Sequence, residues 1–94
     1  MIDYDTELLI EVISGKEYRR QKAVFLAGRI KKANQSPGFD WDKAIEGFSR
    51  QFRMETSRIR GWVRDDYPEY PPPEFDWVKI ILHFADQPYK KEEL

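Results

Sequence analysis

The sequence predicts a small all-α fold of about five helices, forming a single domain over residues 1–94. Three observations predict it. Apolar residues recur at helical spacing through most of the chain. The segments so marked are separated by short breaks rich in Gly, Pro and Asn. The 94 residues, 40% hydrophobic with three Trp, five Tyr and six Phe, are enough for one core but not two.

The first helix is expected from Asp5 to Ser14, with Leu8, Leu9, Val12 and Ile13 at helical spacing and Gly15 as its stop. A second follows from Glu17 to Ala33, with Ala23, Leu26, Ala27 and Ile30 as its core stripe. Residues 34–38 (NQSPG) break it, because Pro37 lacks a donor and Gly38 permits a tight turn. Asp40 is placed to cap a third helix whose buried face is Trp41, Ile45, Phe48 and Phe52. After a turn at Arg53, Met54 and Glu55, a fourth helix spans Thr56 to Arg64, with Ile59, Trp62 and Val63 inward. Residues 65–73 (DDYPEYPPP) hold too many prolines for a helix and form an extended connector. The fifth helix runs from Pro73 to about Asp86, and the polar tail from Gln87 is expected to fray.

One pattern occurs twice. Residues 39–48 and 75–84 share FDWxKxIxxF. An Asp that caps a helix between anchoring aromatics accounts for it, so reuse of a good helix start is favoured over duplication of a unit.

Charge is segregated along the chain. Residues 1–15 carry −4, residues 16–64 carry +8 and residues 65–94 carry −5, within a net charge of −1. The basic middle points to an anionic partner; alternatively, the acidic ends fold over it and neutralise it. There is no cysteine, which excludes disulfides and thiolate–zinc sites. No apolar run reaches the roughly 18 residues of a membrane span, and a cytoplasmic location is expected. No catalytic site, metal site or cofactor is expected either. His83 is the single histidine and sits in an apolar helix, and the adjacent pairs Asp65–Asp66 and Glu92–Glu93 point apart. Gly-rich phosphate loops and nucleophile elbows are missing from the sequence.

Residues 44–64, AIEGFSRQFRMETSRIRGWVR, resemble the helix-turn-helix motif of DNA-binding regulators. Phe48, the small Ser49 and Phe52 match its first helix, Met54 the apolar residue after the turn, and Ile59 and Trp62 the pair that seats the second helix. The sequence departs from the pattern at Arg53, where the turn usually has Gly, and at Glu55, where the second helix usually opens with Ser or Thr. The resemblance implies duplex DNA as partner and a regulatory role. Thr56, Ser57, Arg58, Arg60, Gly61 and Arg64 would then face the groove. Of these, Arg60 and Arg64 suit guanine edges, and Gly61 allows close approach of the backbone. Arg53, Lys22 and Arg29 would meet phosphates. Lys22 and Arg29 belong to a stripe, Tyr18, Lys22, Phe25, Arg29 and Lys32, along one side of the second helix. That stripe suits nucleic acid, although burial of Tyr18 and Phe25 with snorkelling cations is the preferred reading.

The last helix is apolar nearly all round, leaving Lys79, His83 and Asp86 polar. A homodimer through residues 75–85 would cover the surplus, with Ile80 at the interface; a central position in the fold would also cover it. A second functional reading, from another class, is a protein-interaction or inhibitor module whose acidic Pro-rich connector or apolar last helix meets a protein partner.

Overall fold

A computed structural model describes residues 4–87. It contains α1 (Tyr4–Ser14), α2 (Glu17–Ala33), α3 (Trp41–Arg50), α4 (Arg53–Asp66) and α5 (Trp77–Ala85), and no strand among the described residues. The protein is thus all-α, as the helical periodicity predicts. The tail beyond Gln87, expected to fray, lies outside the described residues.

The core is built around α5. Its most extensive packing is on α2, and it also touches α1 and α3. Ala23 and Ala27, both fully buried, are small enough to let α5 lie close to α2. Ile80, Ile81 and Phe84 all point into this core, so the surplus apolar surface is covered within the chain and Ile80 is not an interface residue. The premise of a dimer through residues 75–85 is removed: α5 is buried on several sides because three helices surround it. Of its large apolar residues only Leu82 is exposed.

Two polar contacts join the chain ends to this core. The buried Thr6 hydroxyl of α1 accepts the Asp76 backbone N–H at 2.9 Å, which positions the start of α5. Arg20 binds Glu17 through two nitrogens, at 3.1 and 2.7 Å, and donates to Gln87 Oε1 at 3.0 Å, which ties the end of α5 to α2. The hydrogen bond and charge of Glu17 raise the Arg20 pKa further above its ordinary value.

Helix boundaries follow local chemistry. The Gly15 N–H donates to Val12 O at 3.3 Å and closes α1. Gly38 takes a φ of 81°, the left-handed conformation the NQSPG turn requires. Asp40 accepts from the Asp42 N–H at 2.9 Å and caps α3, as the sequence predicts. Asp76 accepts from the Lys79 N–H at 3.1 Å in the same role for α5. The fifth helix therefore starts at Trp77, not at Pro73: the cap, rather than the proline, sets its beginning. Pro73 is buried in the connector. The repeated FDW segment is a shared helix start in both places. Phe39 packs edge-on against Trp41 at 5.1 Å, and Phe75 against Trp77 at 5.8 Å. The two copies lie together through α3 and α5, where Phe48 meets Trp77 at 6.1 Å.

Candidate nucleic-acid interface

The fourth helix begins at Arg53, three residues earlier than periodicity suggests, after a turn of only Gln51 and Phe52. Phe52 is fully buried and opens α4, so the inward stripe is Phe52, Thr56, Ile59 and Val63, spaced i, i+4, i+7, i+11. This register corrects three expectations. Thr56 is 4% exposed and donates its hydroxyl to Arg53 O at 2.9 Å, so it cannot face a groove. Met54 is 77% exposed, because Phe52 does the burying assigned to it. Trp62 is 46% exposed, at the edge of the stripe rather than within it.

The remaining α4 residues keep their predicted side. Arg53, Ser57, Arg60 and Arg64 are exposed along one face, Arg58 is exposed about 100° round the helix from Ser57, and Gly61 is half-buried. Arg53 adopts no positive φ, and no non-glycine residue does among the described residues, so the missing turn glycine brings no strain. Glu55 sits two residues from both Arg53 and Ser57 and therefore on the opposite side of α4. It is half-buried, with Oε2 enclosed and without a hydrogen-bond partner. Its charge is thus turned away from the arginine row.

Across the turn, α3 contributes what periodicity within one helix could not reveal. Arg50, Arg53 and Arg60 line one polar basin of ≈ 270 Å³ with Glu46, Ser49, Trp77 and the sliver of Thr56 that remains accessible. Arg50 pairs with Glu46 at 2.8 Å, and Arg60 lies over the Phe75 ring at 5.5 Å. Arg64 contacts Asp65 at 3.4 Å. Arg53, Arg58, Arg60, Lys22 and Arg29 make no ion pair with a carboxylate among the described residues. Neutralisation of the basic middle by the acidic ends is correspondingly slight: Lys31–Asp86 and Arg64–Asp65 are its bridges among the described residues.

The α2 stripe is exposed from end to end, aromatics included, with Tyr18 at 72%. Burial of Tyr18 and Phe25 is therefore corrected. The buried side of α2 is Ala23, Val24 and Ala27, and it faces α5 from the far side of the helix. Lys22 reaches the α3–α4 turn, with Nζ 5.1 Å from the Phe52 ring centre. Arg29 stacks on Phe25 at 5.8 Å and lines a separate groove of ≈ 570 Å³ between α2 and α3. Lys22 thus lies by the start of α4, though not among the residues lining the basin, and Arg29 lies about 10 Å further along α2.

His83 is exposed, with Nε2 3.1 Å from the Gln87 amide. No cluster of three potential metal ligands occurs among the described residues, and no helix among them is long and apolar enough to cross a membrane. Compared with protein-family models, with curated proteins and with solved structures, the chain matches none of them.

Proposed function

We propose that the protein binds duplex DNA through α4, with Arg53, Arg58, Arg60 and Arg64 as its cationic contacts and Ser57 as a hydroxyl among them. The observation that carries the reading is the exposed row Arg53, Ser57, Arg60 and Arg64, in which Arg53 and Arg60 are free of carboxylate partners among the described residues. Guanidinium groups in line along an exposed helix face, two of them unpaired, suit phosphate oxygens and guanine edges. The basin beside them suits a backbone phosphate, since Arg53 and Arg60 both line it and its one carboxylate, Glu46, is paired with Arg50. Lys22, at the turn, extends the same positive surface. A regulatory role is part of the proposal, as the helix-turn-helix resemblance implies.

The test is fluorescence anisotropy of a labelled mixed-sequence duplex, titrated with salt. Each phosphate neutralised steepens the dependence of log K on log salt by about 0.9, so the four α4 arginines and Lys22 together give a slope of about −4.5 when all engage. Arg60→Ala lowers the slope by about one unit and changes stability by less than ~1 kcal/mol, since an exposed cation–π contact is all it removes. Absence of binding at ~50 mM salt, or affinity insensitive to salt, refutes the proposal.

A further inference from the structure

A second face of the molecule has the opposite character. Between the start of α1, the end of α4 and the connector lies a groove of ≈ 670 Å³. Four aromatic side chains line it, Tyr4, Trp62, Tyr67 and Tyr70, and all four are exposed. The connector makes part of this surface rigid: the Tyr70 N–H donates to Tyr67 O at 3.0 Å, and the two rings stack at 5.4 Å, nearly parallel. Among the described residues, the charged ones lining the groove are Asp5 and Asp66, with no cation. Neither carboxylate has an ion-pair partner among the described residues. The C-terminal end of α4 at Asp66 adds the partial negative charge of its last carbonyls.

We infer that this groove binds an extended, arginine-bearing peptide segment of a protein partner. Concentrating four large exposed rings in one concavity is unusual for a surface that only meets water. Ring faces attract guanidinium and ammonium groups through their quadrupole, and the chain itself uses this contact at Arg60–Phe75 and Arg29–Phe25. Aromatic-lined grooves accept extended chains, which enter with little ordering cost when already in a polyproline-II conformation. The two unpaired carboxylates supply charge complementarity, selecting cationic over acidic peptides and repelling nucleic acid. The site is separate from the Arg53–Arg64 face and does not depend on the DNA reading.

The experiment uses the full chain and a short fluorescein-labelled peptide alternating arginine with proline, followed by anisotropy. A matching glutamate–proline peptide is the control. Salt-sensitive binding of the first peptide and none of the second is expected. Tyr70→Ala, at an exposed connector position, weakens binding about two- to fivefold, the range of an exposed cation–π contact. The double change Asp5→Asn with Asp66→Asn weakens it about tenfold and flattens the salt dependence. Arg53→Ala leaves it unchanged, which separates this site from the DNA face. Equal binding of both peptides, no binding of either, or an unchanged affinity in both groove variants overturns the inference. Self-association of the protein alone at about 100 μM that the groove variants abolish also overturns it, because the occupant would then be a second copy of the chain.

Discussion

Gly61 lies inside α4, nine residues into a helix of fourteen, and its φ is not positive. A glycine there weakens the helix by about 0.5–1 kcal/mol relative to alanine, mostly through the backbone freedom it loses on folding. A Cβ built at this position meets one neighbour, Arg64 Nη2, at 3.9 Å, which is ordinary contact with the movable end of a side chain. Nothing in the fold therefore opposes Gly61→Ala, and the variant should be more stable by that ~0.5–1 kcal/mol. For a domain of this size, 1 kcal/mol moves Tm by roughly 4–8 °C, so a rise of about 2–8 °C is expected when helical circular dichroism is followed through a thermal melt. Gly38→Ala provides the contrast, because φ 81° there disfavours a Cβ by about 1–2 kcal/mol and Tm should fall. If Gly61 serves close approach of α4 to a duplex, Gly61→Ala also weakens DNA binding while stabilising the fold. A lowered Tm for Gly61→Ala would refute the reasoning, since some feature of the fold would then require the glycine.

Three further perturbations probe how the last helix is held and how α3 and α5 are capped. Ile80→Asp places an unpaired carboxylate at a fully buried position and should unfold the domain, because the penalty of several kcal/mol is comparable with the whole stability of a small domain; a folded variant with lowered mass in sedimentation would instead put Ile80 at a subunit interface. Asp76→Ala removes the cap of α5 and should destabilise by about 0.5–2 kcal/mol in chemical denaturation, as should Asp40→Ala at α3, and no change in either would deny the capping role of the repeated FDW segment.

The helices themselves are legible because each combines a periodic apolar stripe with a chemical stop. Asp40, Gly15 and the NQSPG turn mark ends by local chemistry that a sequence displays directly. Pro73 misleads for the same kind of reason: proline suits a first helical turn, but Asp76 suits a cap as well, and the Thr6 hydroxyl, 70 residues away, holds the Asp76 N–H. Long-range contacts of this type leave no periodic trace. The burial of α5 is a stronger case. Its apolar residues look excessive for one stripe only when a helix is imagined against a single neighbour. Three neighbours cover it here, and two alanines on α2 set how closely one of them approaches.

At the interface, register decided the outcome. The sequence shows an arginine-rich amphipathic helix, but moving its start from Thr56 to Arg53 lets Phe52 open the buried stripe. Thr56, four residues on, is then drawn inward, while Trp62 moves to the rim. The arginines are insensitive to that change, because Arg53, Ser57, Arg60 and Arg64 already share one side at i, i+4, i+7, i+11. The same register that takes Thr56 from the arginine face gives Trp62 to the aromatic groove, so one helix divides two surfaces of opposite charge. The segregation along the chain thereby becomes segregation in space: cations on the outward side of α4, and carboxylates with aromatic rings where its end meets α1 and the connector. A fold whose acidic ends merely neutralised its basic middle would pair these groups. Instead Arg53 and Arg60 on one side, and Asp5 and Asp66 on the other, have no ion-pair partner among the described residues, which is the arrangement expected of two separate binding faces.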